Sequence, residues 1–115
     1  MLDGKLLIGG KWKTCDRKFT SLNPATGEVL GKACLAGSEE VTEAVKEAKL
    51  AQKSWKKTDI SERAKILNRI GDELLKISQE ISNLITMEMG RPLFESNVEV
   101  RKTSEMVKYF ADELQ

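Results

Sequence analysis

Histidine is absent from this sequence. That removes the side chain most used for acid–base chemistry near neutral pH, and the commonest transition-metal ligand. Cysteine occurs only twice, at 15 and 34. Two thiols cannot build a zinc site on their own or a disulfide framework. There is no excess of either charge: 19 Lys and Arg stand against 18 Asp and Glu, a net +1 over 115 residues. Such a balance excludes an electrostatic case for nucleic acid or an anionic membrane as partner. No apolar run approaches the roughly 20 residues that a membrane span needs. The opening Met1-Leu2-Asp3-Gly4-Lys5 lacks the basic and apolar regions of a signal peptide, so the expected location is cytoplasmic. What is present, 40% hydrophobic and 32% charged residues, suits one small globular domain and argues against disorder.

The chain divides into two kinds of pattern. Residues 1–37 read as short β-hairpins and carry six basic and three acidic residues. Leu6-Leu7-Ile8 is a short apolar strand, Gly9-Gly10 a hairpin-type turn, and Lys11-Trp12-Lys13 the half-buried return. Phe19 to Leu22 and Val29 to Leu35 make a second pair. Between them Asn23-Pro24-Ala25-Thr26-Gly27-Glu28 is a turn with a mechanism: Pro24 fixes φ, Asn23 bonds its own backbone, and Gly27 takes positive φ.

Residues 38–115 read as three or four helices. Gly37-Ser38 ends a loop with an N-cap, and Glu39 and Glu40 follow where acids suit a helix start. Val41, Ala44, Val45, Ala48, Ala51 and Trp55 form one narrow stripe, with Leu50 on the other side. A second helix begins near Asp59, which has capping-box spacing to Glu62. Its apolar positions (Ile60, Ala64, Leu67, Ile70, Leu74 and onward to Ile77 and Ile81) are widened by Ile66 and Leu75. That arc predicts the most buried element of the chain. Ser78-Gln79-Glu80 predicts a break and a third helix to about Met89, with Gly90 as its C-terminal cap and Pro92 opening the last helix. The last helix shows Ser96, Val100, Thr103, Val107, Phe110 and Leu114 at alternating spacing. The fold class is α+β: N-terminal hairpins, then helices.

Few residues offer chemistry. A reactive thiol needs a lowered pKa and an adjacent base, and Cys15 and Cys34 show neither. They read as small hydrophobes. Gly9-Gly10 lies between strands, so it is a turn rather than a phosphate cradle. Trp12 and Trp55 sit on apolar faces beside Lys residues and read as core with a snorkelling rim. Lys53, Lys56 and Lys57 read as a solvated helix end. Glu88 falls inside the apolar stripe of a helix continued from Ile60, which predicts a buried structural pair with Arg91, Arg63 or a backbone N–H.

The motifs carry more in their order than singly. Leu7-Ile8-Gly9-Gly10-Lys11-Trp12 precedes Asn23-Pro24-Ala25-Thr26-Gly27-Glu28-Val29-Leu30. The Ala-rich helix ending in Ser54-Trp55 and then Glu62-Arg63-Ala64-Lys65-Ile66-Leu67 come next. Glu88-Met89-Gly90-Arg91-Pro92-Leu93, Glu99-Val100 and Tyr109-Phe110-Ala111 complete the series. It resembles the N-terminal segment of the NAD(P)-dependent aldehyde dehydrogenase family, from residue 6 to about 111.

That resemblance implies an enzyme that oxidises an aldehyde to an acid through a thioester on a catalytic Cys, with hydride passing to a nicotinamide cofactor. The Cys, Glu and Asn motifs and the cofactor-binding glycines of the family lie beyond the matched stretch. No catalytic or cofactor-binding residue is therefore assigned here, and neither NAD nor NADP is expected to bind this chain alone. The resemblance divides the chain into a β-hairpin segment, 1–37, and a helical segment, 38–115, that begins the cofactor-binding domain. It also implies a monovalent cation held by the backbone at Leu22 and by Glu99. Arg91 stands where Lys is commoner, and Glu88 to Pro92 is similar to the succinate-semialdehyde branch. The implied partners are the remainder of the enzyme or another subunit, with a homo-oligomer as the full-length form. The alternative is a stand-alone helical interaction or structural module derived from that segment.

Overall fold

Short strands with two turn signals, then four amphipathic stretches, fold in the order β1 Leu2–Gly4, β2 Leu6–Ile8, β3 Lys11–Lys13, β4 Lys18–Leu22, β5 Val29–Cys34, α1 Ser38–Trp55, α2 Ile60–Lys76, α3 Ser78–Met89 and α4 Leu93–Glu113. This is a computed structural model, and it describes residues 2–113. Leu114, the last position of the predicted final stripe, lies outside the described residues. The chain forms two compact units, one running to Lys57 and one from Thr58, so α1 groups with the strands.

In the first unit β2 and β3 pair as an antiparallel hairpin, with Leu7 opposite Trp12. Gly9 and Gly10 both have positive φ, as a two-residue turn between right-twisted strands requires. The second sheet has the order β1-β5-β4. β4 and β5 are the antiparallel pair read from the sequence, with an irregularity between Ser21 and Leu22. β1 was not expected. It runs parallel to β5, with Gly4 opposite Ala33, and a Cβ at Gly4 would meet the Ala33 Cβ at 2.6 Å. Glycine therefore permits this approach. The Lys18 ammonium donates to the Asp3 carboxylate at 2.9 Å, which holds that carboxyl below its usual range.

The turn between β4 and β5 closes as its residues dictate. Asn23 Oδ1 accepts from the Ala25 amide at 2.9 Å, the Gly27 amide donates to the Asn23 carbonyl at 2.7 Å, and Gly27 has φ +75°. At the start of α1 the cap is Gly37 rather than Ser38. Glu40 accepts from the Gly37 amide at 2.7 Å, and backbone hydrogen bonds hold its carboxyl below the usual range. Lys13 and Glu43 form an ion pair between β3 and α1. No residue of α1 is buried, and of its apolar stripe Ala44 is half-buried while Val41, Val45 and Trp55 are exposed. Trp12 is 69% exposed and Trp55 is also exposed, which corrects the core reading of both. The hairpin is too thin to bury them: of its apolar residues only Ile8 is buried.

The second unit is three helices. Asp59 caps α2 by accepting from the Ser61 amide at 2.8 Å, and hydrogen bonds from the Ser61 side chain and then from that amide hold its carboxyl below the usual range. Glu62 pairs with Lys65 instead of reaching back to complete a capping box. The break falls at Ile77, with Ser78 as the first residue of α3. Gly90, with φ +69°, ends α3, and its amide donates to the Thr86 carbonyl.

The wide arc of α2 is not the most buried surface. α2 buries only Ala64 and Gly71, while Ile66, Ile70, Leu75 and Ile77 are exposed. α4 buries Ser96, Val100, Ser104 and Ala111, so its seam runs beside the predicted one and leaves Phe110 57% exposed. Small residues decide this. A Cβ at Gly71 would lie 3.2 Å from the Ser104 carbonyl, and Ser104 Oγ donates to the Gly71 carbonyl at 2.8 Å. Lys108 pairs with Asp72 at 2.6 Å across the same contact, and Thr86 bonds Ser96 at 2.9 Å between α3 and α4.

Gly27 gives a direct test of the turn. A Cβ there meets nothing within 4 Å, so any cost is backbone strain alone. Gly27→Val is expected to lower unfolding stability by about 1–3 kcal/mol, because a β-branched residue is penalised at positive φ. Urea unfolding of both proteins measures it, and equal midpoints would remove the turn argument.

Candidate functional site

The left-handed Gly90 and Pro92 aim the chain out of α3 and into α4, with Arg91 between them. Its guanidinium meets two carboxylates from the first turns of α4. Glu95 lies 3.6 Å away, and Glu99 makes a closer ion pair. Residues four apart share a helix face, which is why both acids reach the same cation. Beside this row run Phe94, Val98, Lys102 and Met106, again four apart. The two rows line a groove of about 460 Å³. Phe94 is 76% exposed at its end. The Glu99 carbonyl accepts from Thr103 Oγ1 at 2.9 Å. The groove thus combines an apolar floor with an edge of two carboxylates that share one guanidinium.

The two residues implied for a cation belong to different units. Leu22 ends β4 next to the irregularity in the β4–β5 ladder, and Glu99 lies on α4. Oxygen donors are the right type for a hard cation. Arg91, however, already occupies the Glu99 carboxylate. Among the described residues no three His, Cys, Asp or Glu gather into a metal cluster. Glu88 is exposed, contrary to its predicted burial, because the break at Ile77 restarts the helix in a new direction.

The cysteines supply a contact that reading each alone missed. The Cys15 amide donates to Cys34 Sγ at 3.1 Å, and Cys15 Sγ donates to the Arg17 carbonyl at 2.6 Å. Partial desolvation, and then a hydrogen bond to the Cys34 thiol, push the Cys15 thiol above its ordinary value. Lys18 lies near both sulfurs, although its ammonium is held first by Asp3. Part of the signal was available: counting outward from the Asn23–Glu28 turn places Cys34 opposite Arg17, and the irregularity between Ser21 and Leu22 moves it to Lys18, three residues from Cys15.

The sequence model of the aldehyde dehydrogenase family matches residues 12–115. This chain belongs to that family. It is 38% identical over 109 residues to the mitochondrial succinate-semialdehyde dehydrogenase of Oryza sativa subsp. japonica, covering 93% of this chain and 21% of that protein. Malonate-semialdehyde dehydrogenase 2 of Geobacillus kaustophilus is also 38% identical over 109 residues, covering 93% of this chain and 22% of that protein. Among solved structures, the NADP-dependent glyceraldehyde-3-phosphate dehydrogenase from Bacillus halodurans, complexed with NADP, superposes with a TM-score of 0.95 at 31% identity. That match covers 98% of this chain and 24% of the other. This aldehyde dehydrogenase chain therefore spans about a fifth of the length of the curated relatives it matches. Its α+β arrangement of strands then helices is part of the larger family fold. Among the described residues no helix is long and apolar enough to cross a membrane.

Proposed function

We propose that this chain is the N-terminal part of an NAD(P)-dependent aldehyde dehydrogenase and that its own contribution is structural. The observation that carries this is the match itself. It takes in nearly all of this chain and about a fifth of each relative. The exposed Ile66, Ile70, Ile77 and Phe110 support the reading, since large apolar side chains at helical spacing call for cover. The remainder of the enzyme, or another subunit, supplies that cover together with the nucleophile, the base and the nicotinamide site. Helices 38–115 begin the cofactor-binding domain. The full-length enzyme is a cytoplasmic homo-oligomer.

The proposed substrate class is a short aldehyde that carries a carboxylate at its other end. Equal identity to succinate- and malonate-semialdehyde dehydrogenases supports the class and leaves its chain length open. In the full-length enzyme we also propose that the Leu22 carbonyl and Glu99 contribute to a monovalent cation site, with Arg91 competing for the carboxylate.

Three outcomes follow. The 115-residue chain, given NAD or NADP with succinate or malonate semialdehyde, is expected to show no turnover above blank. Turnover lost in Cys15→Ala or Cys34→Ala would overturn the structural role. The same chain is expected to bind a hydrophobic dye or self-associate. A monomer with one cooperative thermal transition and no dye binding would instead favour a stand-alone module. For the cation, replacing sodium and potassium by tetramethylammonium should lower the Tm of the full-length enzyme more than that of its Glu99→Gln variant. Equal shifts would remove Glu99 from such a site.

A further inference from the structure

Cys15 and Cys34 take no part in the function proposed above, yet the fold brings them together. Cys34 is the last residue of β5, and Cys15 lies in the segment between β3 and β4. The sequence separation is 19 residues. Both side chains are half-exposed, so neither is the sealed, inert thiol of a packed core. The backbone around them is held on both sides. The Leu35 amide donates to the Arg17 carbonyl at 2.9 Å, and Lys18 is opposite Cys34 in the ladder. The Cys15 amide points at the Cys34 sulfur at 3.1 Å.

We propose that Cys15 and Cys34 are a dithiol pair that a hydroperoxide converts to a reversible intramolecular disulfide, linking the segment before β4 to the end of β5. The chemistry balances without a metal or cofactor. One thiolate attacks a peroxide oxygen, the O–O bond breaks, and the sulfur becomes a sulfenic acid while an alcohol or water leaves with a proton. The second thiolate attacks that sulfur. The S–O bond breaks, the S–S bond forms, and the departing hydroxide takes the second proton as water. Two thiols lose two electrons and two protons, and the peroxide is reduced to an alcohol and water, or to two waters.

Geometry gives the first attack to Cys34. Its sulfur receives an N–H, whereas Cys15 commits its proton to the Arg17 carbonyl. That bond must break before Cys15 can close the disulfide. Small dithiols restore the pair by exchange.

The test uses the 115-residue chain with hydrogen peroxide, followed by alkylation of free thiols, trypsin and mass spectrometry. The expected product is a monomer that has lost two hydrogen atoms and yields residues 14–17 cross-linked to residues 33–46. A dithiol should restore both free thiols. Cys15→Ser and Cys34→Ser should each abolish the link. Because a serine variant can misfold, the wild-type reaction is repeated in strong denaturant, where closure should slow on the order of tenfold once the native juxtaposition is lost. Independent oxidation of each sulfur to sulfinic acid without a cross-link, a link only between chains, or an unchanged rate in denaturant would overturn the pairing.

Discussion

The contact between α2 and α4 is a backbone approach, and the surface chemistry of the helical unit depends on it. Gly71 and Ser104 let one helix close on the other, and the Ser104 hydroxyl satisfies the Gly71 carbonyl as it does so. A seam built from Gly, Ala and Ser brings helices close but buries little apolar area per residue. Val100 is the one large hydrophobic side chain fully withdrawn on these helices among the described residues. The large aliphatic and aromatic side chains must then point elsewhere. At about 25 cal/mol per Å² of apolar surface, the unit forgoes much of the burial energy that its sequence contains. That shortfall is the physical meaning of matching only part of a larger family fold.

What could be read from the sequence was what short-range chemistry controls. The Asn23–Glu28 turn, the Gly9-Gly10 hairpin, the Asp59 cap, the break before Ser78 and the Gly90 terminus each rest on residues within a few positions of one another. All of them are present. The errors came from questions that span the chain. Periodicity shows that α2 is amphipathic, but it does not say which residues of the arc find a partner. Helix packing chose Ala64 and Gly71, which hydrophobicity ranks low. The parallel pairing of β1 with β5 joins segments far apart in sequence, and its only local trace is a glycine that could have served any turn. Trp12 was misplaced for a related reason. Alternation predicts that one face of a hairpin is covered but does not supply the cover.

The electrostatics follow the same division. Charged pairs sit at the rims of the contacts: Asp72 with Lys108, Lys13 with Glu43, Asp3 with Lys18. Exposed pairs of this kind contribute little each, so they orient elements more than they hold them together. The lowered carboxyl of Asp72 makes its pair a stabilising contact above its unfolded pKa, lost as pH falls through the lower folded value. Arg91 differs because it serves two acids and stands at the junction of α3 and α4. Of the candidate site, Glu99 was pointed to only by the family resemblance, and no local pattern singles out its helix face. The clamp by Arg91 was not legible either, because it depends on how Gly90 turns the chain.

The cysteine pair shows how a thiol can change meaning without any change in its immediate sequence. Read singly, each residue lacks a base, and a small hydrophobe is the reasonable assignment. Folded together, each becomes part of the other's environment, and their proximity is the feature that matters. A hairpin makes this possible. The register of β4 on β5 is set by the turn at Asn23 and Gly27 together with the irregularity between Ser21 and Leu22, and that register carries Cys34 to the segment that holds Cys15. The turn that completes the strand pairing therefore also determines whether the two sulfurs can react with one another. A slip of one residue would reverse the faces of β5 and separate them.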